Sequence, residues 1–287
     1  MSYMFYASII IFGLVIGSFL NVVILRHEKE EGLNGRSYCP LCRKILCWYE
    51  LVPFFSYIAQ RGRCRGCGAH ISVQYPLVEV LTGVLFAIVL YVSHQSIPAF
   101  SISNIQYPIS NLTYLKIILD LVIWSVLIVI MVYDLRTKLI PNRFSYSFAV
   151  LALASSSLTV YTSFFQTGNL QPLISTLLAG PLLFLPFYLL WWYSDGKWIG
   201  LGDGKLALGI GWYLGLSHGA TAIMLAFWIG AAVSLTLIGY QKILARFSNL
   251  QPGASNLSLS SEVPFGPFLI LGTLIVYFCS LNLFTLV

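Results

Sequence analysis

Long apolar runs, broken by short polar stretches that carry glycine or proline, dominate this chain. A bilayer core of ~30 Å is crossed by a helix of ~20 residues. By that ruler the runs at about 3–25, 76–94, 114–133, 144–164, 172–193, 204–217, 219–241 and 264–285 predict eight membrane helices. The sixth run is short and carries Gly204, Gly209, Gly211 and Gly215, which fits either a partial span or a helix packed closely inside a bundle. One sizeable polar stretch, 26–75, separates the first two runs. The stretch 95–113 reads as a plain connector and 247–263 as a polar, flexible loop. No internal repeat is visible.

Composition sharpens this picture. The 287 residues are 58% hydrophobic and 9% charged, with mean hydropathy +0.83; soluble domains are roughly a quarter charged. The expected fold class is therefore an all-α polytopic membrane protein with about eight transmembrane helices. A net charge of +6 and a pI near 9.0 do not point to nucleic acid, because the basic residues follow the positive-inside pattern. They cluster in 26–65, 136–143, 197–205 and 242–246, and only Lys116 falls on the opposite side. These segments are expected to face the cytoplasm, with both termini outside. The first run has no basic n-region and no small-residue cleavage site, so it reads as a retained span. The expected organisation is a first transmembrane helix over 1–25, a cytoplasmic domain over 26–75, and a transmembrane core over 76–287.

The cytoplasmic stretch holds two C-x2-C knuckles, Cys39-Pro-Leu-Cys42 and Cys64-Arg-Gly-Cys67. Four thiolates suit one tetrahedral ion, and Zn²⁺ is its natural occupant. Two disulfides are the alternative, disfavoured in a reducing compartment. So small a domain has little core, and a metal would supply much of its folding energy. Gly66 and Gly68 suit the tight knuckle turn. Cys47 and Cys279 read as packing thiols, Cys279 buried in an apolar run. His27 and His70 flank the domain and read as exposed residues rather than ligands.

Two aspartates stand out because ionisable groups at a membrane boundary are costly. Asp134 ends the third apolar run, and Asp203 sits in Gly-Leu-Gly-Asp-Gly-Lys before the sixth. Asp134 alone could equally be an interfacial residue paired with Arg136 or Lys138. Gly202 and Gly204 strip bulk from around Asp203, which suits close approach of a backbone or a peptide substrate, or an N-cap role. If the two carboxylates meet, they cannot both stay ionised. One can activate water while its protonated partner polarises a peptide carbonyl. Lys138 and Lys205 would then have to point elsewhere. Asp120, inside the third run, reads as structural.

Taken together these motifs resemble the type IV prepilin peptidase family of membrane aspartic proteases. GSFLNVVILR at 17–26 is similar to the family's first-helix exit. The tetracysteine stretch from Cys39 through YPLVEVLTG at 75–83 is similar to its cytoplasmic domain and second-helix start. YDLRTKLIPN at 133–142 and GLGDGK at 200–205 resemble its two catalytic-aspartate motifs, and VPFGPFL at 263–269 its last-helix start. The resemblance implies catalytic roles for Asp134 and Asp203. It also implies a zinc-binding role for Cys39, Cys42, Cys64 and Cys67, and an address in the inner membrane of a bacterium with the active site at the cytoplasmic face. The implied substrates are type IV prepilins or type II secretion pseudopilins, cut after a glycine that precedes their apolar helix. Methylation of the new N-terminus with S-adenosylmethionine is implied as well.

Asn142 stands where the family often has an acid, and His27-Glu28-Lys29 where it commonly has Leu-Pro. No G-x-G-x-x-G is present to hold a methyl donor, so the cytoplasmic loop and nearby helix ends are the expected place. Glu79 is a candidate to hold a substrate ammonium, or else simply an acid in a first helical turn. Asn21 is the other candidate, with a helix-packing hydrogen bond as its alternative. Two other functions stay open: a GxGD leader peptidase without methyl transfer, and a zinc-bearing membrane scaffold or transporter.

Overall fold

The computed structural model describes residues 3–95, 109–168, 171–247 and 263–285. The predicted connector falls largely on 96–108 and the polar loop on 248–262, outside the described residues. Nine α-helices run in order among them: α1 (Tyr3–Glu28), α2 (Phe55–Ala59), α3 (Gln74–Gln95), α4 (Ile109–Thr137), α5 (Asn142–Thr167), α6 (Gln171–Tyr193), α7 (Leu201–Leu214), α8 (Leu216–Phe247) and α9 (Gly266–Cys279). The described residues hold no β-strand beyond two isolated bridges. Each predicted apolar run has become a helix.

Among the described residues the expected count of eight spans is not confirmed. Six helices, α1, α3, α4, α5, α6 and α8, are long and apolar enough to cross a membrane. This is a multi-pass membrane protein. The helices α7 and α9 have 14 residues each, about 21 Å at 1.5 Å per residue. Gly215, at φ +81°, stops α7, and Ser280, at φ +50°, stops α9.

The chain forms two compact units, Met1–Tyr133 and Asp134–Val287, divided within α4. In the first, α1 lies against α3 with almost no side chain between them. A Cβ on Gly13 would stand 2.6 Å from the Gly83 Cα, and one on Gly17 would stand 2.6 Å from the Glu79 Cα. Helices in lipid gain no hydrophobic driving force from meeting, so small residues that let backbones approach carry the packing. Beyond α1 the buried Arg26 donates to the carbonyls of Gly32 (3.1 Å) and Gly35 (3.0 Å), folding the chain back over the helix end. On α4 the buried Asp120 pairs with Lys116 at 2.9 Å, one turn away. That is the structural role expected of it, through an i,i+4 partner the sequence reading overlooked.

The second unit is built around α7, which packs on α5, α6, α8 and α9. Its glycines are contact points. A Cβ on Gly204 would stand 3.2 Å from Phe184 and Phe187 of α6, and one on Gly211 would stand 2.6 Å from the Ala179 carbonyl. Of the two readings of this run, a helix packed inside the bundle is the one the structure shows. Gly17→Val should open the α1–α3 contact and destabilise the protein by about 1–3 kcal/mol, the usual effect of overpacking. A thermal melt in detergent checks this.

Candidate active site and metal centre

Asp134 lies in the last turns of α4 and is 4% exposed. Its Oδ2 accepts the Gly266 N–H at 3.0 Å. Gly266 is the first residue of α9, so the carboxylate meets a helix N-terminus, where unsatisfied N–H groups favour negative charge. A Cβ on Gly266 would stand 2.6 Å from that oxygen; only glycine leaves the place free. The chain leaves α4 through Lys138, at φ +56°, and reaches α5 through Ile140 and Pro141. The Ile140 side chain fills the space beside two glycines. Its Cβ is 3.0 Å from where a Gly202 Cβ would stand, and its Cδ1 is 3.3 Å from the corresponding point on Gly266.

Asp203 sits in the first turn of α7. Gly200 is the N-cap, so Asp203 is the third helical residue and not the cap considered above. Gly202 and Gly204 do not open room for a substrate on their own faces: Ile140 occupies one and Phe184 with Phe187 the other. Asp203 stands outside the six membrane spans. Its burial, with the Asp134 charge nearby, pushes its carboxyl up to about 7. The Asp134 charge is the second cause of that rise, after burial. Lys205, two residues on, turns to Asn142 Oδ1 at 2.6 Å and to the Tyr146 ring at 5.0 Å.

In the first unit the four cysteine sulfurs lie within 4.8 Å of one another. Cys39 and Cys67 are 3.9 Å apart, and Cys42 and Cys64 4.0 Å. A disulfide would need about 2.05 Å, whereas four sulfurs around an ion at ~2.3 Å stand ~3.8 Å apart. The cluster can hold a metal ion. The knuckles are built alike. The N–H of each first cysteine reaches the carbonyl five residues on, Cys39 to Lys44 at 3.0 Å and Cys64 to Ala69 at 2.8 Å. The residue after each second cysteine is left-handed, Arg43 at φ +57° and Gly68 at φ +71°. Gly68 thus supplies the turn, while Gly66 donates its N–H to the Cys64 sulfur at 3.4 Å. The Cys67 and Gly66 N–H groups lower the Cys64 thiol to about 6, which favours the thiolate that a metal needs.

Neither histidine joins this cluster. His70 is exposed, but His27 packs on the Tyr133 ring at 5.4 Å. Cys279 ends α9 exposed rather than buried, because the helix stops there while the apolar sequence continues. Cys47 is half-buried.

Glu79 and Asn21 have internal partners. The Asn21 amide donates to the Gly17 carbonyl (3.3 Å) and the Tyr75 carbonyl (3.2 Å), tying α1 to the start of α3. Glu79 Oε2 accepts the Phe54 N–H at 2.7 Å, and the Ser18 side chain lies near the same carboxylate. Phe54 is held at φ 60°, ψ −52°, with the Phe55 N–H returning to the Pro53 carbonyl at 2.6 Å. This γ-turn is strained for a bulky residue, costing about 1–3 kcal/mol. A hydrogen bond to a charged acceptor contributes about 1.5–3 kcal/mol, enough to hold it. The sequence reading missed this contact, and missed Glu50, which is buried between the Lys44 ammonium and the Cys47 N–H, both at 2.9 Å. The available signal for Glu50 was its position as a lone acid in a basic stretch.

Comparison with known proteins agrees with these motifs. A family model described as the bacterial peptidase A24 N-terminal domain matches residues 11–93. A second, the type IV leader peptidase family, matches residues 121–235. A prepilin leader peptidase/N-methyltransferase of Myxococcus xanthus is 43% identical over 111 residues, 37% of this chain and 33% of that protein. Those of Bacillus subtilis and Klebsiella pneumoniae are 29% and 28% identical. They align over 93% and 75% of this chain, and over 91% and 87% of their own lengths. No solved structure matches. The two models together cover more than half of the chain, and the second spans both aspartates; the chain belongs to the type IV leader peptidase family.

Proposed function

We propose that this protein is a membrane aspartic endopeptidase that removes the leader from type IV prepilins or pseudopilins at the cytoplasmic membrane face. It then N-methylates the new N-terminal residue. The observation that carries the reading is the pair Asp134 and Asp203, with one carboxylate fixed by the Gly266 N–H and the other raised to about 7. Asp134 is the base: it takes a proton from water as the oxygen attacks the scissile carbonyl carbon. Asp203 is the acid: it gives its proton to the carbonyl oxygen. Collapse of the tetrahedral adduct breaks the C–N bond: the departing amine takes the proton held by Asp134, and a hydroxyl of the adduct returns its proton to Asp203. The basic segments 26–65, 136–143 and 197–205 support a cytoplasmic face for this site. The stretch 26–75 is read as the cytoplasmic part of the first unit.

Zn²⁺ is proposed as the ion of Cys39, Cys42, Cys64 and Cys67, whose spacing suits a closed tetrahedral site. Bound there it supplies a cross-link between the knuckles and no reaction step. S-adenosylmethionine is the proposed methyl donor. Asn21 and Glu79 are the candidates considered for it, but the Asn21 amide already meets the Gly17 and Tyr75 carbonyls and Glu79 Oε2 the Phe54 N–H. That same observation favours the second reading, a leader peptidase without methyl transfer.

A model prepilin incubated with the purified protein and S-adenosylmethionine, then weighed by mass spectrometry, tests both readings. Leader loss plus one methyl supports the first, and leader loss alone the second. Asp134→Asn and Asp203→Asn should each lower cleavage by at least ~100-fold; unchanged processing by either would remove that aspartate from the chemistry, and no processing by the wild type would return the scaffold reading. Cleavage should hold below pH 7 and fall as pH rises through about 7, where Asp203 loses the proton it donates.

Gly266→Ala should cut cleavage by more than ~10-fold, because its methyl takes the space of the Asp134 carboxylate. Cleavage rates in the folded variant check this. Cys39→Ser should release the metal from a wild type that carries one zinc per chain, read by elemental mass spectrometry.

A further inference from the structure

The segment between the two knuckles holds a feature that proteolysis does not use. Trp48, Phe55 and Ile58 are 79%, 62% and 56% exposed, with Leu51 and Val52 beside them. They lie on a 3-10 turn, Trp48–Glu50, and on α2. In a water-exposed domain such a cluster would be a liability.

Two observations say what covers it. The first is depth. Glu79 lies on a membrane span that begins at Gln74, and its carboxylate holds the Phe54 N–H at 2.7 Å. Five residues of helix are about 7.5 Å, and the Glu79 side chain leans back toward the helix start, so the backbone at Phe54 is held at the level of the first turns of α3, where a bilayer interface begins. Trp48, Phe55 and Ile58 leave the chain on either side of that anchor. The second is charge. Between Cys39 and Gln74 the chain carries Arg43, Lys44, Arg61, Arg63 and Arg65 against one acid, Glu50. Glu50 is buried and paired with Lys44, and none of the four arginines makes an ion pair among the described residues. Arg65 stacks over the Tyr49 ring at 5.2 Å. An exposed aromatic and aliphatic segment flanked in sequence by arginines matches the acyl–headgroup boundary of an anionic bilayer.

We propose that the segment Trp48–Ile58 is an interfacial lipid-binding strap. Its apolar side chains insert into the cytoplasmic leaflet, its arginines meet anionic headgroups, and Glu79 acts as the positioning residue that fixes its depth through Phe54.

The test uses the full chain in liposomes of phosphatidylethanolamine and phosphatidylglycerol, with Trp48 or Phe55 replaced by p-benzoylphenylalanine. On irradiation, phospholipid adducts should be the main photoproduct at both positions. Absence of lipid adducts in a protein that retains its metal would overturn the strap. So would adducts that appear only with an added prepilin, since these would make the segment a substrate surface. A second measurement needs no photolabel. Brominated phosphatidylglycerol should quench the emission that wild type has and Trp48→Phe lacks. A Trp48 component indifferent to brominated lipid overturns the proposal whatever the photolabelled variants do. Neither readout depends on cleavage or methyl transfer.

Discussion

A carboxylate at the end of an apolar helix must find a partner or give up its charge, and much of the second unit is arranged around that constraint. Asp134 finds the Gly266 N–H at the start of α9. That contact requires residue 266 to lack a side chain and α9 to begin there. It leaves a space that Ile140 fills, between Gly266 and Gly202. The turn after α4, the start of α9 and the first turn of α7 are thereby tied through one isoleucine and two glycines. Asp203 arrives beside this anchored charge on a helix shortened and buried enough to leave its carboxyl poorly solvated. Ionising the second carboxylate is then opposed by desolvation and by the first. The acid and base roles proposed for the pair rest on that asymmetry.

The first unit uses glycine for a related reason. Gly13 and Gly17 let α1 approach α3 until backbone meets backbone. This close seam leaves Asn21 opposite the first turn of α3 and Ser18 within reach of Glu79. In water, apolar side chains would hold the two helices together by leaving solvent. In lipid that gain is absent, and contact distance and hydrogen bonds replace it. A larger residue at either glycine would therefore disturb the polar contacts that depend on the seam as well as the packing.

Hydropathy made every apolar helix legible, but not its length. The run at 264–285 looked long enough to span because the sequence stays apolar past Ser280, where a left-handed residue ends α9. The run at 204–217 abuts the next one, and only the conformation of Gly215 divides α7 from α8. Both limits are set by backbone dihedrals that composition does not encode. The aspartates were visible because charge is scarce here, and the knuckles because their spacing is distinctive. The groups that complete each site were not. Gly266 lies 132 positions from Asp134, and nothing local in either segment announces the other. Gly202 and Gly204 were read correctly as missing bulk, yet the protein's own Ile140, Phe184 and Phe187 take the space. For Glu79 the sequence offers two readings, a ligand for an ammonium group and an acid in a first helical turn, and neither names the contact seen. Its partner, the N–H of Phe54, belongs to a turn that sequence alone gives no reason to expect.

The polar stretch between α1 and α3 inverts the usual logic of a small domain. A chain of this size cannot bury enough apolar surface to order itself. Here polar contacts do the ordering: Arg26 on the Gly32 and Gly35 carbonyls, Glu50 on Lys44 and Cys47, Glu79 on Phe54, and four sulfurs gathered within metal-binding range. Because these contacts fix the backbone, Trp48, Phe55 and Ile58 are not needed for a core and can face outward. An outward apolar face would be selected against in solution. At the end of a membrane span it becomes an advantage, because the bilayer supplies the apolar environment that the domain itself is too small to build.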